Sequence, residues 1–254
     1  MADPTDPLVS LSRRGRAGVI ALNRAEKRNA MNQPLADGLE AALDALDDDP
    51  DLWVGILTGG PDVFSAGTDL SVLGSIGTER GGEYGIIRRR RTKPLIAAVE
   101  GIAFGGGMEI VLACDLVVAS RAARFGLPEV GLGLVPTCAG LFRAPRALPL
   151  NLARELILTG DPIDAERAYH AGLVNVLTEP GAAVEGAAGL AERIAANGPL
   201  AVRACLHAIN DFVGEDDVVG WAATEAAKAV MASDDAAEGV RAFFEKRPPD
   251  WRGR

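Results

Sequence analysis

Histidine and cysteine are scarce in this chain. Its 254 residues include 2 histidines and 3 cysteines, and no two cysteines stand in a C-x-x-C spacing. The two histidines cannot complete an ordinary structural zinc site with these cysteines, so we expect no metal site. Three scattered cysteines do not form a disulfide framework either. This composition favours a reducing compartment and predicts a cytoplasmic protein.

Long apolar runs and an excess of positive charge are also missing. A membrane helix needs roughly 18 uninterrupted apolar residues, and no stretch of the sequence approaches that length. The 26 basic residues are outnumbered by 35 acidic residues, which gives a net charge of −9. Such a balance disfavours broad binding to nucleic acid. We therefore expect neither a membrane nor a nucleic acid as a partner.

Several common catalytic signatures do not occur. The sequence has no P-loop pattern, and residues 63–67 (VFSAG) lack the first glycine of a nucleophile elbow. Residues 131–136 (GLGLVP) begin like a dinucleotide-binding fingerprint but end in proline and follow no strong predicted strand. A nicotinamide oxidoreductase is therefore a remote alternative.

The pattern of apolar residues predicts an α/β core followed by helices. Strands are expected at 8–12, 18–22, 52–58, 94–99 and 115–119, with helices at 33–46, 82–92 and 106–114. Further helices are expected at 150–158, 165–171, 182–197, 200–212, 216–232 and 234–246, with a short strand at 173–177. Alternation of strands and helices indicates largely parallel strands. We expect one domain over 1–254, with an α/β core at 1–195 and a helical C-terminal region at 196–254.

Residues 101–109 (GIAFGGGME) place three glycines and a glutamate at the start of a predicted helix. Glycines there let a ligand approach free backbone N–H groups, and the helix dipole favours a developing oxyanion. A tight strand-to-helix packing contact is the alternative interpretation. Glu109 favours the functional one, because the residues three and four positions away on its helix include no cation. Burial would raise the pKa of such a carboxyl toward a range useful for acid–base chemistry.

A second isolated carboxyl lies in residues 125–136 (FGLPEVGLGLVP). Glu129 is the only charged residue between Arg124 and Arg143. One such glutamate could be a structural hydrogen-bonding group. Two of them, each beside a glycine-rich turn, suggest a pair that divides acid and base work at one small site. Residues 64–70 (FSAGTDL) form a loop-to-helix junction that could supply a second N–H donor beside Gly106.

These motifs together resemble the enoyl-CoA hydratase/isomerase (crotonase) superfamily over nearly the whole chain. The matching segments are 22–31 (LNRAEKRNAM), 64–70, 101–109, 125–136, 172–175 (GLVN) and 238–244 (EGVRAFF). The resemblance implies a spiral of β-β-α units with a helical C-terminal trimerisation region, commonly assembled as a trimer or a dimer of trimers. It also implies an acyl-CoA thioester as substrate, with no cofactor beyond the coenzyme A that the substrate carries.

The resemblance also implies roles for particular residues. The backbone N–H groups of Thr68 and Gly106 would hold the thioester oxygen, and Glu109 and Glu129 take the places of the two catalytic glutamates of the hydratases. Holding both favours hydration of a 2-enoyl-CoA, with Glu129 protonating C2 and Glu109 orienting and deprotonating water. Further residues of the matching motifs are expected to contact the substrate or its CoA: Arg24, Ala25, Lys27, Ala66, Gly67, Asp69, Leu70, Gly105, Pro128 and Gly131.

Three departures from the family pattern leave the acyl preference open. Ala25 stands where a proline is usual, Leu127 stands where some short-chain hydratases have a polar residue, and residues 136–140 (PTCAG) replace a more glycine-rich turn. An isomerase, a specialised hydroxyacyl-CoA dehydratase and a thioester hydrolase are alternatives within the family, and a non-catalytic acyl-CoA-binding protein is one outside it. Residues 72–84 are rich in glycine and predict a mobile loop that shapes the acyl pocket.

Overall fold

The computed structural model describes residues 7–72, 74–214 and 217–253. Its strands are, in chain order, β1 (Val9–Arg14), β2 (Ala17–Leu22), β3 (Val54–Thr58), β4 (Gly77–Thr78), β5 (Gly82–Glu83), β6 (Leu95–Val99), β7 (Ile102–Phe104), β8 (Leu116–Ser120), β9 (Arg124–Gly126), β10 (Ile163–Asp164) and β11 (Val176–Thr178). The α-helices are α1 (Gln33–Asp48), α2 (Gly106–Leu112), α3 (Gly140–Ala147), α4 (Leu150–Thr159), α5 (Ala165–His170), α6 (Ala183–Ala195), α7 (Pro199–Gly214), α8 (Asp217–Ala227) and α9 (Asp234–Glu245). Short 3-10 helices occur at Ala25–Lys27, Pro128–Leu132 and Lys228–Ala232.

Six of the strands form the main sheet, in the spatial order β1-β2-β3-β6-β8-β11. Only the β1–β2 pair is antiparallel, and the other four neighbouring pairs are parallel. The prediction of largely parallel strands is therefore confirmed. A parallel sheet needs cover on both faces, because its connections run through crossovers that lie against it.

Side chains alternate between the two faces of the main sheet, as the period of a strand requires. On β6, Leu95, Ala97 and Val99 join the larger hydrophobic cluster, which includes the buried leucines of α1. Ile96 and Ala98 point to the opposite face and pack in a smaller cluster with the alanines of α6. Small side chains on α6 let that helix lie close to the sheet.

A second, three-stranded sheet in the order β10-β9-β7 carries the chain to the candidate site. In two consecutive units, a strand of the main sheet is followed by a strand of the second sheet and then by a helix: β6-β7-α2 and β8-β9-(Pro128–Leu132). β7 and β9 are parallel neighbours. The expected β-β-α repeat is thus present.

Most predicted elements are confirmed, with ends that differ by a few residues. The expected helix at 33–46 is α1, and the six C-terminal helical segments are α4 to α9 with the 3-10 turn Lys228–Ala232. Residue 216, the expected start of one of them, lies outside the described residues. The strand expected at 173–177 begins later, at Val176. Helix α3 and the short strands β4, β5, β7, β9 and β10 were not predicted.

The predicted helix at 82–92 is wrong. Residues 82–83 are the second strand of the β4–β5 hairpin, and turns follow to residue 88. Gly82, Tyr84 and Gly85 have φ angles of 64°, 57° and 79°, and left-handed backbone at three of four positions cannot continue a right-handed helix. The apolar spacing there reflects burial of Tyr84, Ile86 and Ile87 in the core.

Among the residues that the structure describes, no helix is both long enough and apolar enough to cross a membrane.

Candidate active site

The ends of β7 and β9 bring the two predicted glutamates together. These strands are parallel, so both of their carboxyl ends lie at the same edge of the small sheet. Gly105, directly after β7, donates its N–H to the carbonyl of Gly126, the last residue of β9, at 2.9 Å. Glu109 follows on the first turn of α2, and Glu129 follows in the 3-10 helix Pro128–Leu132. The sheet therefore places the carboxyl groups of two separate helices at one site.

Glu109 is only 2% exposed, and one of its oxygens is fixed by backbone donors. Its Oε1 accepts hydrogen bonds from the N–H groups of Cys138 at 2.7 Å and Gly140 at 2.9 Å. Between these two donors, Ala139 has a φ of 79°, which turns both N–H groups toward the same oxygen. A Cβ atom at Gly140 would lie 2.9 Å from Glu109 Oε1, so only glycine fits there without displacement. The segment that departs from the family pattern thus orients this carboxyl group.

Glu129 has a different environment. The residue is half-buried, but its Oε2 is enclosed and has no hydrogen-bond partner among the described residues. Its Oε1 would lie 3.2 Å from a Cβ atom at Gly105, so the carboxyl group rests directly against the glycine that precedes α2. A buried carboxyl oxygen without a partner is costly. Such an atom indicates a ligand or a water molecule at this position.

Burial raises the pKa of both carboxyl groups. For Glu109, desolvation raises the pKa from 4.5 to about 7, against the opposing effect of its hydrogen bonds from Gly140 and Cys138. For Glu129, desolvation and then the nearby charge of Glu109 raise the pKa from 4.5 to about 8. Two carboxyl groups that repel each other do not both ionise readily near neutral pH. The pair can therefore hold one proton and one negative charge, which suits coupled acid and base steps.

Thr68 and Gly106 present two free backbone donors next to this pair. A Cβ atom at Gly67 would lie 3.0 Å from Gly106 N, which shows how closely the two loops meet. The neighbours of Thr68 are paired with Met31, since Met31 N–H donates to Gly67 and Asp69 N–H donates to Met31. Neither Thr68 N–H nor Gly106 N–H donates to any group in the described ranges. Both N–H groups are therefore available to a ligand, and their role as an oxyanion hole stays a prediction.

Tyr84 also belongs to the site, and the sequence patterns did not identify it. Its side chain is 4% exposed, and its hydroxyl lies 2.6 Å from Thr68 Oγ1. Burial, followed by the charges of Cys138 and Glu109, raises the pKa of the phenol well above 10, so it stays protonated. One sequence feature could have pointed to Tyr84. It is one of only 2 tyrosines in the chain, and it lies in a glycine-rich loop that the sequence analysis assigns to the acyl pocket.

Arg24 and Asp69, both predicted to contact the substrate, form an ion pair with each other. Arg24 Nη1 lies 2.8 Å from Asp69 Oδ2 and also donates to the carbonyl of Ala30 at 2.7 Å. Both side chains are mostly buried, with exposures of 13% and 10%. The pair ties the loop that carries Thr68 to the segment after β2. In this arrangement Arg24 holds protein structure at the edge of the site.

The remaining residues predicted to contact the substrate or its CoA differ in their exposure and in the groups that they contact. Ala66 is half-buried and donates its N–H to Arg28, and Leu70 is also half-buried. Ala25 and Lys27 are exposed on the 3-10 helix Ala25–Lys27. Pro128, directly before Glu129, packs against Gly160, while Gly131, two positions after Glu129, is exposed beside open space.

In the ranges that the structure describes, no group of three or more His, Cys, Asp or Glu side chains is arranged to hold a metal ion.

Comparisons with known proteins agree with this geometry. The family model for enoyl-CoA hydratase/isomerase matches residues 14–254. An enoyl-CoA hydratase of Mycobacterium tuberculosis is 39% identical over 98% of this chain and 97% of its own length. A short-chain-enoyl-CoA hydratase of Clostridium acetobutylicum is 36% identical over 94% of this chain and 95% of its own. The crystal structure of a carnitinyl-CoA hydratase from Mycobacterium avium superimposes with a TM-score of 0.92 at 38% identity, and covers 98% of this chain and 100% of that one.

The fold and the sequence relatives together define an enzyme of the crotonase superfamily, with the mixed α/β fold of that group. The chain belongs to the enoyl-CoA hydratase/isomerase family.

Proposed function

We propose that this enzyme is an enoyl-CoA hydratase, which adds water reversibly across the C2=C3 bond of a 2-enoyl-CoA. The observation that carries the proposal is the pair of the buried Glu109 and the half-buried Glu129, both with raised pKa values, beside two unpaired backbone donors. Hydration needs one group to take a proton from water and another to give a proton to carbon. A pair that holds one proton between two carboxyl groups supplies both.

The roles follow from the two environments. Glu109 keeps one oxygen on two N–H donors, which favour its ionised form, and it therefore accepts a proton from the attacking water. Glu129 has the more strongly raised pKa and an enclosed Oε2, and it therefore carries the proton that goes to C2. The water oxygen bonds to C3 while the C2=C3 electron pair takes the proton at C2. Afterwards Glu109 is protonated and Glu129 ionised, and proton exchange with solvent restores the pair.

Thr68 and Gly106 stabilise the charge that develops on the thioester oxygen. As water adds to C3, electron density moves through C2 to the carbonyl and produces an enolate-like oxygen. The two N–H groups would receive that oxygen without first breaking bonds to the protein. Loss of one donor of this kind typically costs about 3 kcal/mol of transition-state stabilisation. The chemistry proposed here needs no cofactor beyond the coenzyme A of the substrate.

Purified protein and crotonyl-CoA test the proposal. Hydration removes the conjugated thioester absorbance and gives a product heavier by one water, whereas an isomerase gives a product of unchanged mass and a hydrolase releases free CoA. We expect Glu109→Gln and Glu129→Gln each to lower kcat by at least about 10²-fold, as is typical when acid–base groups are removed. Glu185→Gln changes an exposed glutamate on α6 and serves as the matched control. Undiminished hydration in the double Glu109, Glu129 variant would contradict the mechanism.

We further propose that the chain assembles as a homotrimer or a dimer of trimers through its C-terminal helices. Large apolar side chains on α7 and α8 are strongly exposed in one copy: Leu200 79%, Ile209 60%, Phe212 80%, Val218 75% and Val219 71%. A set of exposed apolar residues this large on adjacent helices favours burial against another protein surface. The molar mass in solution, measured by light scattering, tests this, and a monomer at micromolar concentration would contradict it.

A further inference from the structure

The aromatic ring of Tyr84 fills the space directly beside the two backbone donors. A Cβ atom at Gly106 would lie 2.6 Å from the Tyr84 hydroxyl oxygen and 2.8 Å from two of its ring carbons. The ring edge therefore packs against the Cα atom of Gly106, and the hydroxyl bonds to Thr68 on the other side. Because a thioester oxygen on these donors fixes where the acyl group begins, the ring lies next to the start of that group.

The part of the predicted mobile loop that leads to Tyr84 makes hydrogen bonds and close contacts with α1. A carboxylate oxygen of Glu40 accepts hydrogen bonds from Thr78 Oγ1 and from the N–H groups of Arg80 and Gly81. On the other side of Tyr84, a Cβ atom at Gly85 would lie 2.4 Å from the carbonyl oxygen of Ala36. The backbone on both sides of the tyrosine is thus in direct contact with the same helix. The ring is held as a fixed wall.

The backbone of Tyr84 itself is strained. Its φ of 57° lies in the left-handed region, which a bulky residue adopts only when the surrounding structure enforces it. Such strain costs about 1–3 kcal/mol and tends to occur at functional sites. Glycine would adopt this conformation freely, and the neighbours Gly82 and Gly85 do so. An aromatic side chain at a position where the backbone favours glycine indicates that the ring contributes to function.

We propose that Tyr84 is the specificity-determining residue of the acyl pocket and restricts the enzyme to short, approximately four-carbon enoyl groups. The proposal rests on the proposed hydratase function for the place of the thioester oxygen. The ring limits the depth available beyond C3, so each further methylene of a longer chain meets the aromatic wall. Removing the ring opens the space to longer chains. Removing only the hydroxyl leaves the wall in place.

The test compares kcat/KM for crotonyl-CoA and trans-2-decenoyl-CoA in the full-length protein and its Tyr84→Ala and Tyr84→Phe variants. We expect the wild type to prefer crotonyl-CoA and Tyr84→Ala to shift the long-to-short ratio toward decenoyl-CoA by at least tenfold. Burial of two further methylenes is worth about 15-fold, which sets this scale. Tyr84→Phe should change the wild-type ratio by no more than about twofold, which is far less than the change expected from opening space for two methylenes. Tyr169→Ala, on α5 with its side chain 44% exposed, is the matched control for the loss of a tyrosine.

Tyr84→Gly provides a second variant if the alanine variant folds poorly, because glycine relieves the left-handed backbone. An unchanged ratio in a folded Tyr84→Ala or Tyr84→Gly protein would overturn the proposal, as would an equal shift in Tyr84→Phe. If the wild type hydrates neither substrate, the proposed function fails and the pocket is tested separately. The affinities of butyryl-CoA and decanoyl-CoA for the same variants, measured by calorimetry, then show the effect of the Tyr84 ring on chain length without any reaction. If the ratio of the two affinities is the same with and without the ring, the proposal is overturned.

Discussion

Replacing Glu109 with glutamine should stabilise the protein above neutral pH, even as it abolishes acid–base function. The buried carboxyl is expensive to ionise, and its pKa rises from 4.5 to about 7 on folding. Glutamine has nearly the same shape and carries no charge. Its side-chain oxygen can still accept the two N–H donors of Cys138 and Gly140. The substitution therefore removes the cost of ionisation while keeping the hydrogen bonds.

The size and pH range of this effect follow from linkage. Below about pH 4.5, Glu109 is protonated in the folded and the unfolded chain, so the free energy of unfolding is the same for wild type and variant. Between pH 4.5 and 7 the unfolded carboxyl ionises first, which favours unfolding of the wild type. Above pH 7 the full difference is present, and a shift from 4.5 to about 7 corresponds to about 3 kcal/mol. The negative charge of Glu109 also raises the pKa of Glu129, so its removal relieves that residue in the same direction.

Equilibrium unfolding in urea at fixed protein concentration, from pH 4.5 to 8.5, measures this difference. We expect Glu109→Gln to gain about 3 kcal/mol on wild type across that range, or on the order of 5–10 °C in Tm. Glu185→Gln is the control, since Arg14 lowers the pKa of that exposed carboxyl and its removal should not stabilise the protein at high pH. A Glu109→Gln protein that is no more stable than wild type at pH 8, or equally more stable at every pH, would refute the reasoning.

Three further predictions concern catalysis. The kcat/KM for an enoyl-CoA should fall below about pH 7, as Glu109 is protonated, and above about pH 8, as Glu129 ionises, which a pH–rate profile measures. Gly106→Ala puts a Cβ atom 2.6 Å from the Tyr84 hydroxyl and should lower kcat/KM by about 10²-fold by displacing one oxyanion donor. Gly189→Ala on α6, whose added Cβ meets nothing within 4 Å, should stay near wild type in the same steady-state assay. Arg24→Met removes the cation from Asp69, which keeps only its hydrogen bonds from Ser71, and should lower the free energy of unfolding by about 2 kcal/mol together with kcat. A raised KM with unchanged urea stability would instead mark Arg24 as a CoA contact.

Elements with a long hydrophobic period were predictable from the sequence. Helix α1 buries Leu35, Leu39 and Leu43 at helical spacing, and its N-cap Asn32 accepts the N–H of Leu35. Strand β6 is a fully buried apolar run, as expected for a parallel strand with cover on both faces. Strands β7 and β9 have three residues each, too few for any period to be visible. Those short strands are nevertheless the ones that join the two glutamates.

The candidate site was predictable where it depends on local motifs. Glu109 and Gly106 share a single glycine-rich helix start, and Glu129 stands alone in an apolar segment. Tyr84 was not identified, because its place is determined by long-range contacts between its loop and Glu40 on α1. The same contacts replace the predicted helix at 82–92 with a hairpin and turns. Pairing of this kind between distant segments leaves no periodic signal.

Backbone strain in this chain is concentrated around the site. In the described part of the chain, five residues other than glycine have a positive φ: Arg28, Asn29, Tyr84, Ala139 and Lys246. Four of them support the site. Asn29 donates its side-chain amide to the carbonyls of Gly59, Val63 and Phe64, which fixes the segment leading to Thr68, and the carbonyl of Arg28 accepts the N–H of Ala66.

The other two strained residues also lie at the site. Ala139 turns two backbone N–H groups toward the Glu109 carboxylate, and Tyr84 forms the wall beside the N–H groups of Thr68 and Gly106. Each such residue costs about 1–3 kcal/mol, and the buried Glu109 carboxyl adds a similar amount. These costs can persist only because the two hydrophobic clusters on either side of the main sheet stabilise the fold independently of the site. Substitutions that relieve strain or charge here should therefore stabilise the protein at the expense of turnover, whereas the same changes elsewhere should leave turnover unaffected.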